Sequence, residues 1–193
     1  MVNSNPGNPG NEANEANAGK PGNPSNPGNP SNPGNAGFQP VAPRFELLYR
    51  ASIAVATPQL FGATPQAAGE RRIINICGGE FAGARLKGRV LPGGADWQVI
   101  RADGVAQLEA RFTMQTDDGA LLYVKNFGFR HGPPEVIARL FSGAVVDPAQ
   151  YYFRMTPLIE TGDARYAWLN SHIMVGSGMR TSDRVIYDVY GIA

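Results

Sequence analysis

Cysteine and histidine are scarce in this sequence. The 193 residues include a single cysteine, Cys77, and two histidines, His131 and His172. One cysteine cannot form an internal disulfide, and neither a Cys-x-x-Cys nor a His-Glu-x-x-His motif is present. We therefore expect no disulfide framework and no metal site.

Motifs for phosphate and dinucleotide binding are also missing. No Gly-Lys-Ser or Gly-Lys-Thr triplet occurs, which excludes a phosphate-binding loop. The glycine-rich segment 78–83 lacks the Gly-x-Gly-x-x-Gly spacing, and no helical pattern follows it. A Gly-x-Ser-x-Gly nucleophile elbow is absent too. The sequence thus predicts no cofactor.

Charge and long apolar runs are limited. Lysine and arginine number 17 against 16 acidic residues, a net charge of +1, whereas a general nucleic-acid binder needs a basic excess. A polybasic membrane attachment is disfavoured for the same reason. No run approaches the roughly 18 apolar residues of a membrane-spanning helix. Because the first residues show no basic and apolar leader pattern, we expect a cytoplasmic protein.

The N-terminal segment has a different composition from the rest of the chain. Asn, Gly and Pro make up 25 of residues 1–37, in repeated Asn-Pro-Gly and Asn-Pro-Ser units. Such a segment cannot bury enough apolar surface to offset the entropy lost on ordering. We predict a disordered low-complexity tail over residues 1–40 and one folded domain over residues 41–193.

The domain is read as a succession of short strands. Runs rich in β-branched and aromatic residues are separated by turn residues, as is typical of antiparallel sheets. Asp103-Gly104 and Asp118-Gly119 suit tight hairpin turns, and further bends are expected at 92–94 and 176–178. The predicted strands are 45–55, 71–77, 85–91, 97–101, 106–116, 120–129, 151–160, 165–175 and 184–191.

Consecutive hairpins favour a closed sheet. Eight or nine strands in one open sheet would leave two edges exposed, and closure removes both. We therefore predict an all-β fold, a closed antiparallel up-and-down barrel of about 8–9 strands. Segment 133–141 is the exception, because its prolines, Glu135 and apolar face predict one short helix that connects two strands or plugs a barrel end.

Three blocks of the domain resemble the DUF3237 family, also called UPF0311. The resemblance spans about residues 44–193 and implies a calycin-type antiparallel barrel. The family name assigns no function, so the resemblance implies a fold and no catalytic residue. The blocks are Gly78-Gly79-Glu80-Phe81-Ala82-Gly83 with Gly88-Arg89-Val90-Leu91-Pro92-Gly93-Gly94-Ala95-Asp96-Trp97-Gln98, Ala110-Arg111-Phe112 with Asp118-Gly119-Ala120, and Tyr152-Phe153-Arg154 with Tyr166-Ala167-Trp168-Leu169-Asn170.

Side-chain alternation selects candidates for a ligand site inside the barrel. Tyr166, Trp168 and Asn170 fall on one face of the predicted strand 165–175. Arg154 shares a face with Tyr152, and Asn126 shares one with Leu122 and Val124. Apolar and aromatic walls with a few convergent polar groups are typical of ligand pockets. The predicted ligand-binding residues are Trp97, Asn126, Arg154, Tyr166, Trp168 and Asn170; simple core packing is the alternative for Trp168.

Three residues are candidates for acid/base chemistry. Asp96 precedes Trp97, and an indole next to a carboxyl group removes water and raises the carboxyl pKa. Alternatively, Asp96 accepts backbone hydrogen bonds and fixes the bend before it. Glu160 is a second candidate acid/base. Arg154 would stabilise developing negative charge, or else form a structural ion pair with Glu160 or Asp96.

Three functions remain open from the sequence. The first is binding of a small apolar or aromatic metabolite inside the barrel cavity. The second is a metal-independent acid/base enzyme of the isomerase, cyclase or lyase type, in which a carboxylate and Arg154 converge in the barrel. The third is an oligomeric interaction module, with Tyr187 and Tyr190 at a contact between identical subunits.

Overall fold

The computed structural model describes residues 40–193, which contain ten strands, one α-helix and two 3₁₀ helices. All but the last residue of the predicted tail 1–40 lie outside the described residues. The helices are α1 (Pro134–Phe141) and the 3₁₀ helices Pro148–Gln150 and Ala164–Ser171. The strands are β1 (Phe45–Val55), β2 (Gln59–Thr64), β3 (Gly69–Ala82), β4 (Lys87–Val90), β5 (Ala95–Ile100), β6 (Ala106–Thr116), β7 (Leu121–His131), β8 (Tyr152–Glu160), β9 (Met174–Arg180) and β10 (Arg184–Ile192).

The strands form a closed antiparallel barrel. Each of β6 to β10 pairs with its neighbour in the chain, and β10 returns to pair with β1. Closure comes from β1 and β3, which pair from Arg50↔Ala82 to Val55↔Ile76. β4 and β5 both pair with β3 on one side and with β6 on the other, so together they occupy one of the eight strand positions around the ring. β2 pairs with β3 alone. The predicted up-and-down barrel is confirmed.

Glycine allows β1 and β3 to approach each other at the closure. Gly79 lies opposite Ile53 and has a φ of +151°, which L side chains rarely adopt. A Cβ atom there would overlap the carbonyl oxygen of Ser52. The closed ring therefore depends locally on the absence of a side chain.

The two Asp-Gly turns form as the sequence predicts. Gly104 connects β5 to β6 with a φ of +82°, and Gly119 connects β6 to β7 with a φ of +92°. Even-numbered residues of β6 face inward, and four of them are buried hydrophobic side chains: Ala106, Leu108, Phe112 and Met114. Short turns and this alternation together fix the pairing register of β6 with β7.

The prediction of a strand at 165–175 is wrong. Residues Ala164–Ser171 form a 3₁₀ helix, whose first turn is capped by the Asp163 carboxylate accepting from the amide of Arg165. The strand is displaced to Met174–Arg180, so the predicted bend at 176–178 is also wrong. Glycine allows β9 to pack closely here, because a Cβ at Gly176 or Gly178 would push against the side chains of Met155 and Phe153.

The short helix is confirmed as α1, Pro134–Phe141. Val136 and Leu140 are buried in the core, and Gly143, with a φ of +84°, ends the helical segment. The helix follows Arg130 near the end of β7, and its last residue, Phe141, contacts arginines of β3, β7 and β9 at this end of the barrel. Within residues 40–193, no helix is long and apolar enough to cross a membrane.

Candidate functional site

A cavity of about 50 Å³ lies inside the barrel. Most of its wall is apolar, with contributions from Ile53, Ile74, Leu108, Phe112, Phe153 and Met155. Five polar side chains also line it: Asp96, Gln98, Asn126, Arg130 and Arg180. A cavity of this volume holds a few water molecules or a very small solute.

The polar groups reach the cavity through strand alternation. Asn126, Gly128 and Arg130 are the last inward positions of β7, after the buried Leu122 and Val124. In β5 the inward residues include Asp96 and Gln98, and in β9 the inward series ends at Arg180. Polar residues from three strands are thus brought together although they are far apart in sequence.

Asp96 is held by two donors. Its Oδ2 accepts from Nε2 of Gln98 at 2.6 Å, and its Oδ1 accepts from the amide of Glu109 at 3.0 Å. The second bond agrees with the expectation that Asp96 accepts a backbone donor, but the donor belongs to β6 and not to the bend before Asp96. Burial raises the pKa of Asp96 above its ordinary value, although the Gln98 hydrogen bond and the charge of Arg130 oppose this shift.

Arg130 is the most unusual residue of the cavity. It is only 1% exposed, and no acceptor among residues 40–193 hydrogen-bonds its Nε, Nη1 or Nη2. Aromatic rings surround the guanidinium instead, with ring centres 5.3 Å away at Phe141 and 5.7 Å away at Phe153. Burial, and then the charge of Arg180, lower the pKa of Arg130 to about 10.

Two amide oxygens complete the set of unpartnered groups in the cavity wall. Oδ1 of Asn126 and Oε1 of Gln98 are buried and accept no hydrogen bond within the described part of the chain. Nδ2 of Asn126 donates to the sulfur of Met155 at 3.1 Å. The cavity therefore offers a strong cationic donor in Arg130 and two neutral acceptors, which is a pattern suited to a polar ligand group.

Arg154 lies outside the barrel. In β8 the buried residues are Phe153, Met155, Pro157 and Ile159, so the prediction that Arg154 faces inward is wrong. Its Nη1 donates to the carbonyl of Phe153 at 2.9 Å, and its guanidinium lies over the ring of Tyr152. The alternative of an ion pair with Glu160 or Asp96 is wrong as well.

The other acidic candidate and Trp97 are also at the surface. Glu160 is exposed and accepts from Nζ of Lys125 at 2.6 Å. Trp97 alternates with the inward-facing Asp96 and Gln98, so it lies on the outer side of β5. Of the three acid/base candidates, the structure places Asp96 in the cavity wall and the other two on the outer surface.

The residues of the aromatic face that the sequence predicts at 166–170 lie in the 3₁₀ helix and not in a strand. The Tyr166 hydroxyl donates to Asp118 at 2.9 Å, and Trp168 packs against the core with Arg85 over its ring at 4.2 Å. Nδ2 of Asn170 donates to the carbonyl of Thr161 at 3.0 Å. These three residues stabilise the loop between β8 and β9, and none of them lines the cavity.

The two tyrosines of β10 have different environments. Tyr187 is buried inside the barrel, so the prediction that it contacts another subunit is wrong. Tyr190 borders an open groove of about 610 Å³ on the outer surface, together with Phe45, Phe127 and Arg154. A subunit contact through Tyr190 stays a prediction.

Sequence reasoning missed Arg130, Arg180 and Gln98. Arg130 has a usable signal, because it continues the inward series of Leu122, Val124 and Asn126 at even spacing. Arg180 has no such signal, because the strand predicted at 165–175 ends before it and the strand of the structure runs from Met174 to Arg180. In residues 40–193, no three His, Cys, Asp or Glu side chains form a group that could hold a metal ion.

Comparisons with known proteins agree with this architecture. The family model described as "Protein of unknown function (DUF3237)" matches residues 43–192. A UPF0311 protein of Rhodopseudomonas palustris (strain TIE-1) is 43% identical over 152 residues, which is 79% of this chain and 99% of that protein. A UPF0311 protein of Clostridium acetobutylicum is 39% identical over 149 residues, covering 77% of this chain and 94% of that protein.

Solved structures show the same fold. A protein of unknown function from Rhodopseudomonas palustris aligns with a TM-score of 0.75 at 39% identity, over 80% of this chain and all of that chain. A β-barrel-like protein from Acinetobacter baumannii AYE aligns with a TM-score of 0.72 at 43% identity, over 81% of this chain and 99% of that chain. An enzyme from Penicillium herquei aligns with a TM-score of 0.60 at 21% identity, which concerns the fold alone.

The raised pKa of Asp96 predicts a pH-dependent difference in stability. The native state holds this proton more tightly than the unfolded chain, so Asp96 lowers the free energy of unfolding as pH rises from 3.8 through its native pKa. Asp96→Asn retains an acceptor for the Glu109 amide and should gain stability relative to the wild type over this interval. Urea unfolding between about pH 4 and pH 7 measures the difference.

A second aspartate provides the control with the opposite sign. The Thr116 hydrogen bond lowers the pKa of Asp118, so the stability of the wild type relative to Asp118→Asn should rise as pH increases from the native pKa of Asp118 to about 3.8, and stay constant above that. For this pair the urea measurements therefore extend below pH 3.8. If the stability of Asp96→Asn falls relative to the wild type with rising pH, the burial of Asp96 does not dominate its titration and the assignment is wrong.

Arg130 should contribute no stability in the absence of a ligand. The Arg130 guanidinium has a desolvation cost of several kcal/mol and hydrogen-bonds no acceptor among the described residues, so an apolar side chain of similar length removes a cost and no hydrogen bond. We expect Arg130→Met to unfold in urea at the same or a higher free energy than the wild type at neutral pH. Arg154→Met is the matched surface control, expected to change stability by less than about 1 kcal/mol. A clear loss of stability in Arg130→Met would show that the protein alone satisfies this guanidinium.

Proposed function

The chain belongs to the DUF3237 family, whose description assigns no function, and from its barrel interior we propose that it binds a small, mainly apolar or aromatic metabolite in the central cavity. The observation that carries this proposal is Arg130, which is buried, charged and without an acceptor among the described residues. Asn126, Gln98 and the apolar walls supply the remaining contacts. We also propose that the barrel is of the calycin type, to which an enclosed ligand site is well suited.

The free-energy cost of burying the Arg130 guanidinium supports the proposal that a ligand binds it. Moving a charged group out of water costs several kcal/mol even after the protein relaxes around it. Cation–π contacts return about 0.5–2 kcal/mol each. Phe141 and Phe153 therefore offset only part of the cost, and a ligand that accepts from the guanidinium would offset the rest. A buried charge without a partner breaks the usual rule that buried polar groups are satisfied, and such exceptions are expected at functional sites.

The volume of the cavity also limits the size of a ligand that binds without moving side chains. A dry cavity of about 150 Å³ accommodates benzene, which is some three times the 50 Å³ present here. A ligand with a ring must therefore displace side chains as it binds. Met155 lines the cavity, and its flexible thioether adapts readily to new shapes. Binding then widens the cavity without rebuilding the barrel.

Filling the cavity tests the proposal. Ala110 lines it, and Ala110→Leu should occupy the space that the ligand needs. We expect a library of small apolar and aromatic compounds to raise the melting temperature of the wild type but not of Ala110→Leu. Ala63→Leu, at an exposed site in β2, is the matched control and should respond like the wild type. Equal responses in Ala110→Leu, with its fold verified by circular dichroism, would contradict binding inside the barrel.

An acid/base enzyme of the isomerase, cyclase or lyase type is the second candidate. The observation that favours it is Asp96, a carboxyl group with a raised pKa that interacts electrostatically with Arg130 and Arg180 in one cavity. A carboxyl group with a raised pKa is better matched than an ordinary aspartate for proton transfer with weakly acidic substrates, and a guanidinium stabilises the negative charge that develops on a carbonyl oxygen. Arg130 takes the place that the sequence assigned to Arg154. This candidate differs from simple binding because it requires the Asp96 carboxyl for turnover but not for affinity.

A further inference from the structure

Three arginines surround one aromatic ring at the α1 end of the barrel. The guanidinium carbons lie 4.5 Å, 5.3 Å and 5.8 Å from the ring centre of Phe141, for Arg72, Arg130 and Arg180 respectively. These arginines come from β3, β7 and β9, so the barrel itself, and not a single loop, brings them together. The ring of Phe141 is the shared neighbour of all three charges.

The acidic groups at this end do not balance these charges. Arg72 pairs through Nη2 with Glu70 at 2.9 Å, and its Nε hydrogen-bonds no described residue. Asp96 is the single carboxylate among the described residues that line the cavity, and its two oxygens already accept from Gln98 and Glu109. Tyr151 is the other titratable neighbour, and its hydroxyl accepts from the amide of Arg180 at 3.0 Å. Arg130 and Arg180 therefore face one carboxylate between them.

The position of Phe141 allows its ring to be displaced by a ligand group that binds arginine more strongly. A ring face attracts a cation only weakly, whereas a carboxylate forms two parallel charge-assisted hydrogen bonds with a guanidinium. Phe141 is the last residue of α1 and is 38% exposed, while Val136 and Leu140 hold the helix in the core. Because other side chains anchor α1 in the core, movement of the Phe141 ring does not require the helix to leave it.

We propose that the ligand carries a carboxylate that binds Arg130 and Arg180 at the α1 end of the cavity and displaces the ring of Phe141. This inference rests on the proposed function and names the chemical class of the ligand. The apolar part of the molecule would extend past Ile74 and Leu108 into the barrel. A flat, singly charged group suits the site because its two oxygens can accept from both guanidinium groups and it leaves Asp96 with its own donors.

Benzoate and benzamide provide a matched pair of probes of nearly equal size that differ in charge. On the full chain at neutral pH, isothermal titration calorimetry should show benzoate binding about tenfold or more tightly than benzamide. Arg130→Met should lose this preference, whereas Arg154→Met, on the outer surface, should keep it. Phe141→Ala should bind benzoate several-fold more tightly than the wild type, because no ring has to be displaced.

The other outcomes overturn the inference in distinguishable ways. Equal binding of benzoate and benzamide, blocked in Ala110→Leu, would retain the cavity as a ligand site and exclude carboxylate recognition. Inorganic phosphate binding as tightly as benzoate, and lost in Arg130→Met, would indicate a general anion site and exclude the carboxylate class. Absence of binding by both aromatic probes would refute the inference, while the compound library tests the proposed function separately.

Discussion

A buried guanidinium without an acceptor is the constraint around which the interior is organised. Arg130 enters the barrel because it continues the inward alternation of β7, after Asn126 and Gly128. The barrel gives it low dielectric surroundings and aromatic neighbours, but no oxygen among the described residues. The ring of Phe141 lies against this charge, as it does against Arg72 and Arg180.

Asp96 and Arg130, two of the three ionisable groups that line the cavity, do not behave as a closed salt bridge. In a mutually satisfied pair, attraction would lower the pKa of the acid and raise that of the base. Here burial dominates both, so the pKa of Asp96 is raised and the pKa of Arg130 is lowered to about 10. Both oxygens of Asp96 already accept hydrogen bonds, whereas the guanidinium of Arg130 has no acceptor among the described residues. A site in this state is ready for a ligand that brings its own charge or hydrogen bonds.

Much of the fold follows from local sequence signals. The Asp-Gly turns, the helix at Pro134–Phe141 and the closure of the sheet were all predictable, because each depends on turn chemistry, periodicity or the need to remove sheet edges. The error at 165–175 has a physical cause. The aromatic pattern of Tyr166 and Trp168 is typical of a strand, but the Asp163 cap and the contacts of Asn170 stabilise a 3₁₀ helix.

The candidate site was less predictable than the fold. Asn126 was correctly placed inside by the apolar alternation of β7. Arg154 was placed inside because a polar and aromatic face was preferred to the face carrying Phe153, Met155 and Ile159, although barrel interiors favour apolar side chains. Arg180 depends on the register of β9, which is set by glycines fitting against Met155 and Phe153. Such long-range packing leaves no local sequence signal.

The central claim is that Arg130 is completed by a molecule other than the protein. A high-resolution crystal structure of the protein as purified, without added ligand, tests this most directly. We expect electron density of a bound small molecule, with an acceptor oxygen within hydrogen-bond distance of the Arg130 guanidinium. Density showing that guanidinium bonded to acceptors of the chain itself, in a barrel filled only by its own side chains, would contradict it.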